Sequence, residues 1–209
     1  MATTTSSTNS KEQLTTTQIS DNKPDAFEGK PSYTVPGLTL DEGADTAAVL
    51  QKILNTYNDL HLTLKHVHWN VVGPNFISVH QMIDPQVEVI RGYADDVAER
   101  IATLGSSPQG TPGALVAQRD WDDYSIGRAG AIEHLAALDA VYNGVITSIR
   151  KAAEDTEELD DVTNDLLIGH LHEIEQFHWF VRAHLENAGG VLSTSGEKTE
   201  KGSAKKATS

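Results

Sequence analysis

Between His68 and Glu99 the chain carries two histidines and three carboxylates whose spacing allows joint chemistry: His68, His80, Asp84, Asp95 and Glu99. Imidazole nitrogens with carboxylate oxygens form a borderline donor set that suits Fe(II), Mn(II) or Zn(II), and carboxylates able to bridge suit a pair of irons. The chain has no cysteine, which excludes disulfides, thiolate metal sites and thiol nucleophiles. Redox iron chemistry is the leading expectation. The site is expected to take two iron ions, with zinc or manganese as substitutes. The same ligands around Zn(II) or Fe(II) could instead activate water for attack on an amide or ester.

On a helix turning about 100° per residue, His80 and Asp84 lie about 40° apart, Asp84 and Asp95 about 20°, and Asp95 and Glu99 about 40°. All four therefore share one stripe, but Asp84 and Asp95 are separated along the axis by roughly 16 Å. Metal bonds to such ligands are only about 2 Å long, so one chain cannot close the site with both pairs. Two copies of the helix packed antiparallel about a two-fold axis near Val89 and Ile90 can, with His80 and Asp84 of one copy meeting Asp95 and Glu99 of the other. His68, just before the reversal at Gly73, can fold back toward His80 and add a second imidazole.

Each residue also has a plainer reading. Asp84 followed by Pro85 makes a good N-cap and N1 pair. Asp95 and Glu99, beside Asp96 and Arg100, resemble a solvated acidic face. Glu175 and His178 form the E-x-x-H pattern of bundle-enclosed di-iron sites. The chain has no second copy of it, so His170, His172, His178 and His184 are expected to be structural or solvent-facing.

Four amphipathic stretches must position these groups. Apolar residues at Val49, Ile53, Tyr57, Leu60, Leu64, Val67 and Val71 give a first helix from about Asp45 to Gly73. A second runs from Phe76 through Ile101 to Gly105, bent at Pro85 because proline removes one backbone hydrogen bond. A third spans about 126–153 and a fourth about 160–188. The connection from Ser106 to Tyr124 is long for a bundle and is expected to cross it, with room for a short helix. The fold class is therefore all-α, a four-helix bundle of ferritin-like type with its long crossover between the second and third helices.

Three regions follow: a flexible arm over 1–37, the bundle over 38–190, and a flexible lysine-containing tail over 191–209. The arm is rich in Thr and Ser and poor in large apolar residues, so it buries too little to offset its ordering entropy. A net charge of −14 argues against a polyanion-binding body and for attraction of cations. No apolar run reaches the roughly 20 residues of a membrane span, and no signal peptide is recognisable. A cytoplasmic location is expected.

The runs YNDLHLTLKHVHWNVVGPNF, VHQMID and YADDVAERIATLG, continued by WDDY, DVTNDLLIGH and FHWFVRAHLENAGG, resemble the Dps mini-ferritins (DNA-binding proteins from starved cells) in their actinobacterial form, across about 57–190. The resemblance implies a hollow dodecamer of two-fold dimers. It implies inter-subunit ferroxidase centres built from His68, His80 and Asp84 of one chain with Asp95 and Glu99 of the other. It also implies Fe(II) and hydrogen peroxide as substrates and ferric mineral as product. Trp69 then falls where the family has a tryptophan able to accept an oxidising equivalent; a core aromatic is the alternative. Asp160, Asp161 and Asp165 fall where the family lines its iron-entry pores. DNA in such proteins is held by basic tails. The N-terminal arm balances its lysines with acids, leaving Lys198, Lys201, Lys205 and Lys206 of the C-terminal tail as candidate contacts for nonspecific DNA binding and nucleoid association. A structural DNA-compacting protein with a vestigial metal site is the alternative function.

Overall fold

A computed structural model describes residues 31–209, so most of the arm expected over 1–37 lies outside the described residues. Four long helices form the body: α1 (Leu40–Asn70), α2 (Phe76–Thr103), α4 (Ala131–Thr156) and α5 (Asp161–Ala183). Short helices α3 (Pro112–Gln118) and α6 (Glu200–Ala207) are added to them. The packed pairs are α1 with α2 and α4 with α5, and α1 also lies against α4. This is the ferritin-like four-helix bundle, with α3 inside the crossover as expected.

Helix α1 starts one and a half turns earlier than its apolar period indicates, because Thr39 and Glu42 form a capping box. The Thr39 hydroxyl accepts from the Glu42 amide at 3.2 Å, and the Glu42 carboxylate accepts from the Thr39 amide at 2.7 Å. Helix α2 runs unbroken through Pro85. Asp84 therefore lies within a helix and caps none. Helix α5 stops at Ala183, about one turn short of the expected end, and the chain reverses at Gly190, whose φ is +80°.

The core is the apolar stripe of each long helix: Leu50, Tyr57 and Leu64 from α1; Ile83, Ile90 and Val97 from α2; Leu135 and Tyr142 from α4; Ile174 and Val181 from α5, all buried. Each such aliphatic side chain contributes about 1.5–3 kcal/mol on burial, enough to fix the rotational setting of its helix. A two-residue parallel bridge, β1 (Val71–Val72) to β2 (Ala129–Gly130), ties the end of α1 to the start of α4. The segment before α1 closes the other end. Gly105 (φ +89°) lies so close to Tyr33 that an added Cβ would stand 2.1 Å from its carbonyl oxygen, a position only glycine can occupy.

The flexible tail expected over 191–209 is corrected. Residues 200–207 form α6, packed on α4, with Ser203 and Ala204 buried. The Thr199 hydroxyl caps it by accepting from the Gly202 amide at 3.1 Å, and Glu200 accepts from the Ser125 amide at 2.6 Å. The segment lacks large apolar residues because it docks through small ones and polar clasps. Hydropathy reading is blind to that kind of contact.

Candidate metal centre

The α1–α2 reversal at Gly73 (φ +95°) folds the end of α1 back along the first turns of α2. His68 and His80 meet there with rings stacked at 3.5 Å between centroids and 23° between planes. His68 Nδ1 donates to the His80 backbone carbonyl at 3.0 Å, and His80 Nδ1 donates to the His68 carbonyl at 2.9 Å. A carbonyl oxygen only accepts, so both imidazoles carry their proton on Nδ1 and keep the Nε2 lone pair for a metal. This is how a backbone acceptor sets the tautomer of a ligating histidine.

Asp84, one turn beyond His80, completes the cluster. His68, His80 and Asp84 each offer a ligand atom within 4.8 Å of the others, the one such group of three among the described residues. His68 is buried and Asp84 exposed, so the cluster has a packed back and an open front. Lys65, one turn before His68, reaches it as well. Its ammonium lies 2.9 Å from Asp84 Oδ1 and 5.7 Å from the Trp69 ring centroid. The Lys65 hydrogen bond is the main reason the Asp84 carboxyl is held below the usual carboxylate range, with the neighbouring imidazoles adding to it.

Asp95 and Glu99 are exposed on α2, about three and four turns beyond Asp84, and do not join the cluster within this chain. Asp95 borders a shallow cavity of about 380 Å³ together with Asn58, His61 and Arg91. Trp69 is 70% exposed beside the cluster, so the reading of it as a core aromatic is set aside.

Of the pore candidates, Asp161 and Asp165 are exposed, whereas Asp160 is buried and committed. Asp160 caps α5 by accepting from the Thr163 amide at 3.2 Å and accepts from Arg100 Nη2 at 2.6 Å. Burial acts to raise its pKa, but hydrogen bonds from Arg100 and Thr163 hold it below the ordinary range. Within this chain it is a helix cap with a counter-charge.

The E-x-x-H pair is divided between two jobs. Glu175 pairs with Arg150, and His178 Nε2 donates to Asp139 at 2.7 Å. His184 donates to the Phe180 carbonyl, and His170 meets the Tyr57 hydroxyl. Among the tail lysines, Lys198, Lys201 and Lys205 are exposed, while Lys206 donates to the Ser195 carbonyl and lies 3.8 Å from Glu197.

Two features of the folded chain escaped the sequence reading. Lys65 was legible in principle, since Lys65-x-x-His68 puts an ammonium one turn from a ligand. The buried Asp139 node was signalled only by an acid in the apolar register of α4. It accepts from His178, from Arg182 Nε at 2.8 Å and from Thr194 at 2.7 Å. Burial acts to raise this carboxyl, but the three donors outweigh it and leave the group strongly depressed.

A ferritin-like domain matches residues 47–190. The DNA protection during starvation protein of Mycolicibacterium smegmatis is 66% identical over 176 residues, which cover 84% of this chain and 96% of that one. The fine tangled pili major subunit of Haemophilus ducreyi is 46% identical, covering 77% of this chain and 85% of its own. Among solved structures, Mycobacterium smegmatis Dps superposes with a TM-score of 0.79 at 66% identity, covering 81% of this chain and 97% of that one. DpsA14 from Streptomyces coelicolor superposes with a TM-score of 0.78 at 64% identity, covering 79% and 98%.

Proposed function

The chain belongs to the Dps family of ferritin-like proteins, and on that footing we propose that it oxidises Fe(II), preferentially with hydrogen peroxide, and stores the ferric product inside a homo-oligomeric dodecameric shell, so protecting DNA from oxidative damage. The observation that carries this reading is the reciprocal pair of His68 and His80 beside Asp84, with both Nε2 lone pairs held for a metal.

In this reading Asp95 and Glu99 complete each site from the two-fold-related chain, because on one chain they stand too far along α2 to serve the same ion. The carboxylates supply negative charge for a cationic substrate, and His68 and His80 orient it without moving protons. Two irons can be taken side by side, each giving one electron to a peroxide that accepts two. The −14 net charge draws cations toward the shell, and Asp161 and Asp165 are the carboxylates free to line an entry route. Trp69 is exposed beside the ligands, and in this reading it takes up a stray oxidising equivalent. No described helix is long and apolar enough to cross a membrane.

The test is stopped-flow oxidation of Fe(II) by peroxide. Asp95→Ala with Glu99→Ala is expected to abolish the fast phase while the shell still assembles, and unchanged initial rates in that variant would sink the assignment.

A second reading, nonspecific DNA binding, is favoured by one observation: Lys198, Lys201 and Lys205 are exposed on and just before the docked α6. Removing 193–209 is expected to abolish retardation of DNA at low salt. If the truncated shell retards DNA as well as the intact one does, this route is wrong.

A further inference from the structure

Three tyrosines with limited access to water make hydrogen bonds that differ in chemical consequence. Tyr142, fully buried, donates to the Gln86 side-chain oxygen at 2.6 Å, and an amide is no base. Tyr124 lies 3.1 Å from His134 Nδ1, but His134 is buried with its Nε2 lacking a hydrogen-bond partner, and burial together with the neighbouring His66 holds it down. Tyr57, fully buried on α1, lies 3.2 Å from Nδ1 of the buried His170 on α5. His170 Nε2 in turn faces the Asp96 carboxylate of α2 at 3.5 Å.

That arrangement is directional. With the Nε2 proton on the side of the Asp96 carboxylate at 3.5 Å, Nδ1 keeps its lone pair and the Tyr57 hydroxyl donates to it. The Tyr93 ring stacks on the His170 ring at 3.7 Å between centroids and 16° between planes, with its own hydroxyl donating to Glu173 at 2.6 Å. An imidazolium at His170 would therefore face two carboxylates, Asp96 and Glu173, and an aromatic face. Burial pushes the His170 pKa down, with the Asp96 and Glu173 carboxylates acting against it. Burial also pushes the Tyr57 hydroxyl far above its ordinary range. Simple ionisation is thus closed to Tyr57, whereas loss of an electron makes a phenol a strong acid.

We propose that Tyr57 is a redox-active tyrosine that gives an electron to a peroxide-derived one-electron oxidant of the hydroxyl-radical class while its proton passes to His170. The O–H bond of Tyr57 breaks and an N–H bond forms at His170 Nδ1. The electron converts hydroxyl radical to hydroxide, leaving a neutral tyrosyl radical beside an imidazolium. A further Fe(II) restores the pair by giving one electron, with the proton returning from His170 to oxygen. Tyr93 and Asp96 join the relay to the turn of α2 that also carries Asp95, so an oxidising equivalent at an adjoining site draws its electron from Tyr57 through that turn. It depends on the ferroxidase reading only for the source of the oxidant.

The experiment uses iron-free shell oxidised by azide radicals from pulse radiolysis, followed optically and by electron paramagnetic resonance. The intact protein is expected to give a persistent tyrosyl signal whose formation slows in deuterated solvent. Tyr57→Phe is expected to remove that signal, and Tyr142→Phe to keep it. His170→Gln, which can accept the hydrogen bond but not the proton, is expected to lose both the persistence and the solvent isotope effect while melting as a folded protein. The same persistent signal in Tyr57→Phe, or an unaltered isotope effect in His170→Gln, overturns the proposal. Because no iron is present, this outcome is independent of the Asp95 and Glu99 test of the ferroxidase reading.

Discussion

His68 and His80 each donate Nδ1–H to the other's backbone carbonyl, at 3.0 and 2.9 Å, so that two residues twelve apart in sequence fix one another's tautomer. Replacing either removes a ligand and its hydrogen bond to the other's backbone, while the carbonyl that orients the remaining imidazole stays in place. His80→Ala is expected to weaken Co(II) or Zn(II) binding by more than the roughly 10–100-fold typical of losing an outer partner alone. Calorimetric metal titration at constant pH reads this directly, and an affinity within about twofold of the intact protein contradicts the pairing.

Lys65 holds an ammonium against Asp84 where a metal is expected. Lys65→Met frees that carboxylate and removes a competing cation, so metal should bind more tightly. The gain should stay below about tenfold because an ion pair this open to water contributes little. The pKa of Asp84, followed by carboxylate NMR, should rise toward the ordinary value in the same variant.

Asp139→Asn removes the charge that gathers His178, Arg182 and Thr194, and should destabilise the protein by about 2 kcal/mol. A depressed carboxylate contributes stability above the unfolded-chain pKa near 4, and loses it as pH falls through the lower folded value. Thermal melts should therefore show a large gap between intact protein and variant at neutral pH and a narrowing gap below about pH 4. Hydrogen exchange should show 191–209 opening first, since Thr194 anchors that segment to Asp139.

Asp160 and its neighbours separate structure from transport. Asp160→Ala should cost about 1–3 kcal/mol through loss of the α5 cap and the Arg100 partner. Asp161→Asn with Asp165→Asn should leave stability within about 0.5 kcal/mol yet slow iron uptake. Melting temperature and uptake rate measured on both variants distinguish the two roles. Slowed uptake without lost stability in Asp160→Ala would return that residue to the pore.

Much of the molecule was legible before folding. The apolar periods of the long helices, the glycines that end them and the stripe of His80, Asp84, Asp95 and Glu99 follow from one rule, that residues three or four apart share a helix face. Helix starts were less legible where hydropathy carries no signal. The Thr39–Glu42 box set the start of α1 ahead of its apolar stripe, and α6 docked through Ser203, Ala204 and the Glu200 clasp where no large apolar residue advertised a helix.

By itself the sequence determined which groups share a face and which are too far apart along an axis to share an ion, because helical rise and rotation are constants of the backbone. Tertiary structure alone decided what each group faces across the bundle. Folding made Asp160 the cap of α5 and joined His178 to Asp139. It also set Lys65 over Asp84 and brought Tyr57, His170 and Asp96 into line from three helices. These pairings cross tens of residues and depend on how one helix is rotated against the next, and only the packed core fixes that rotation.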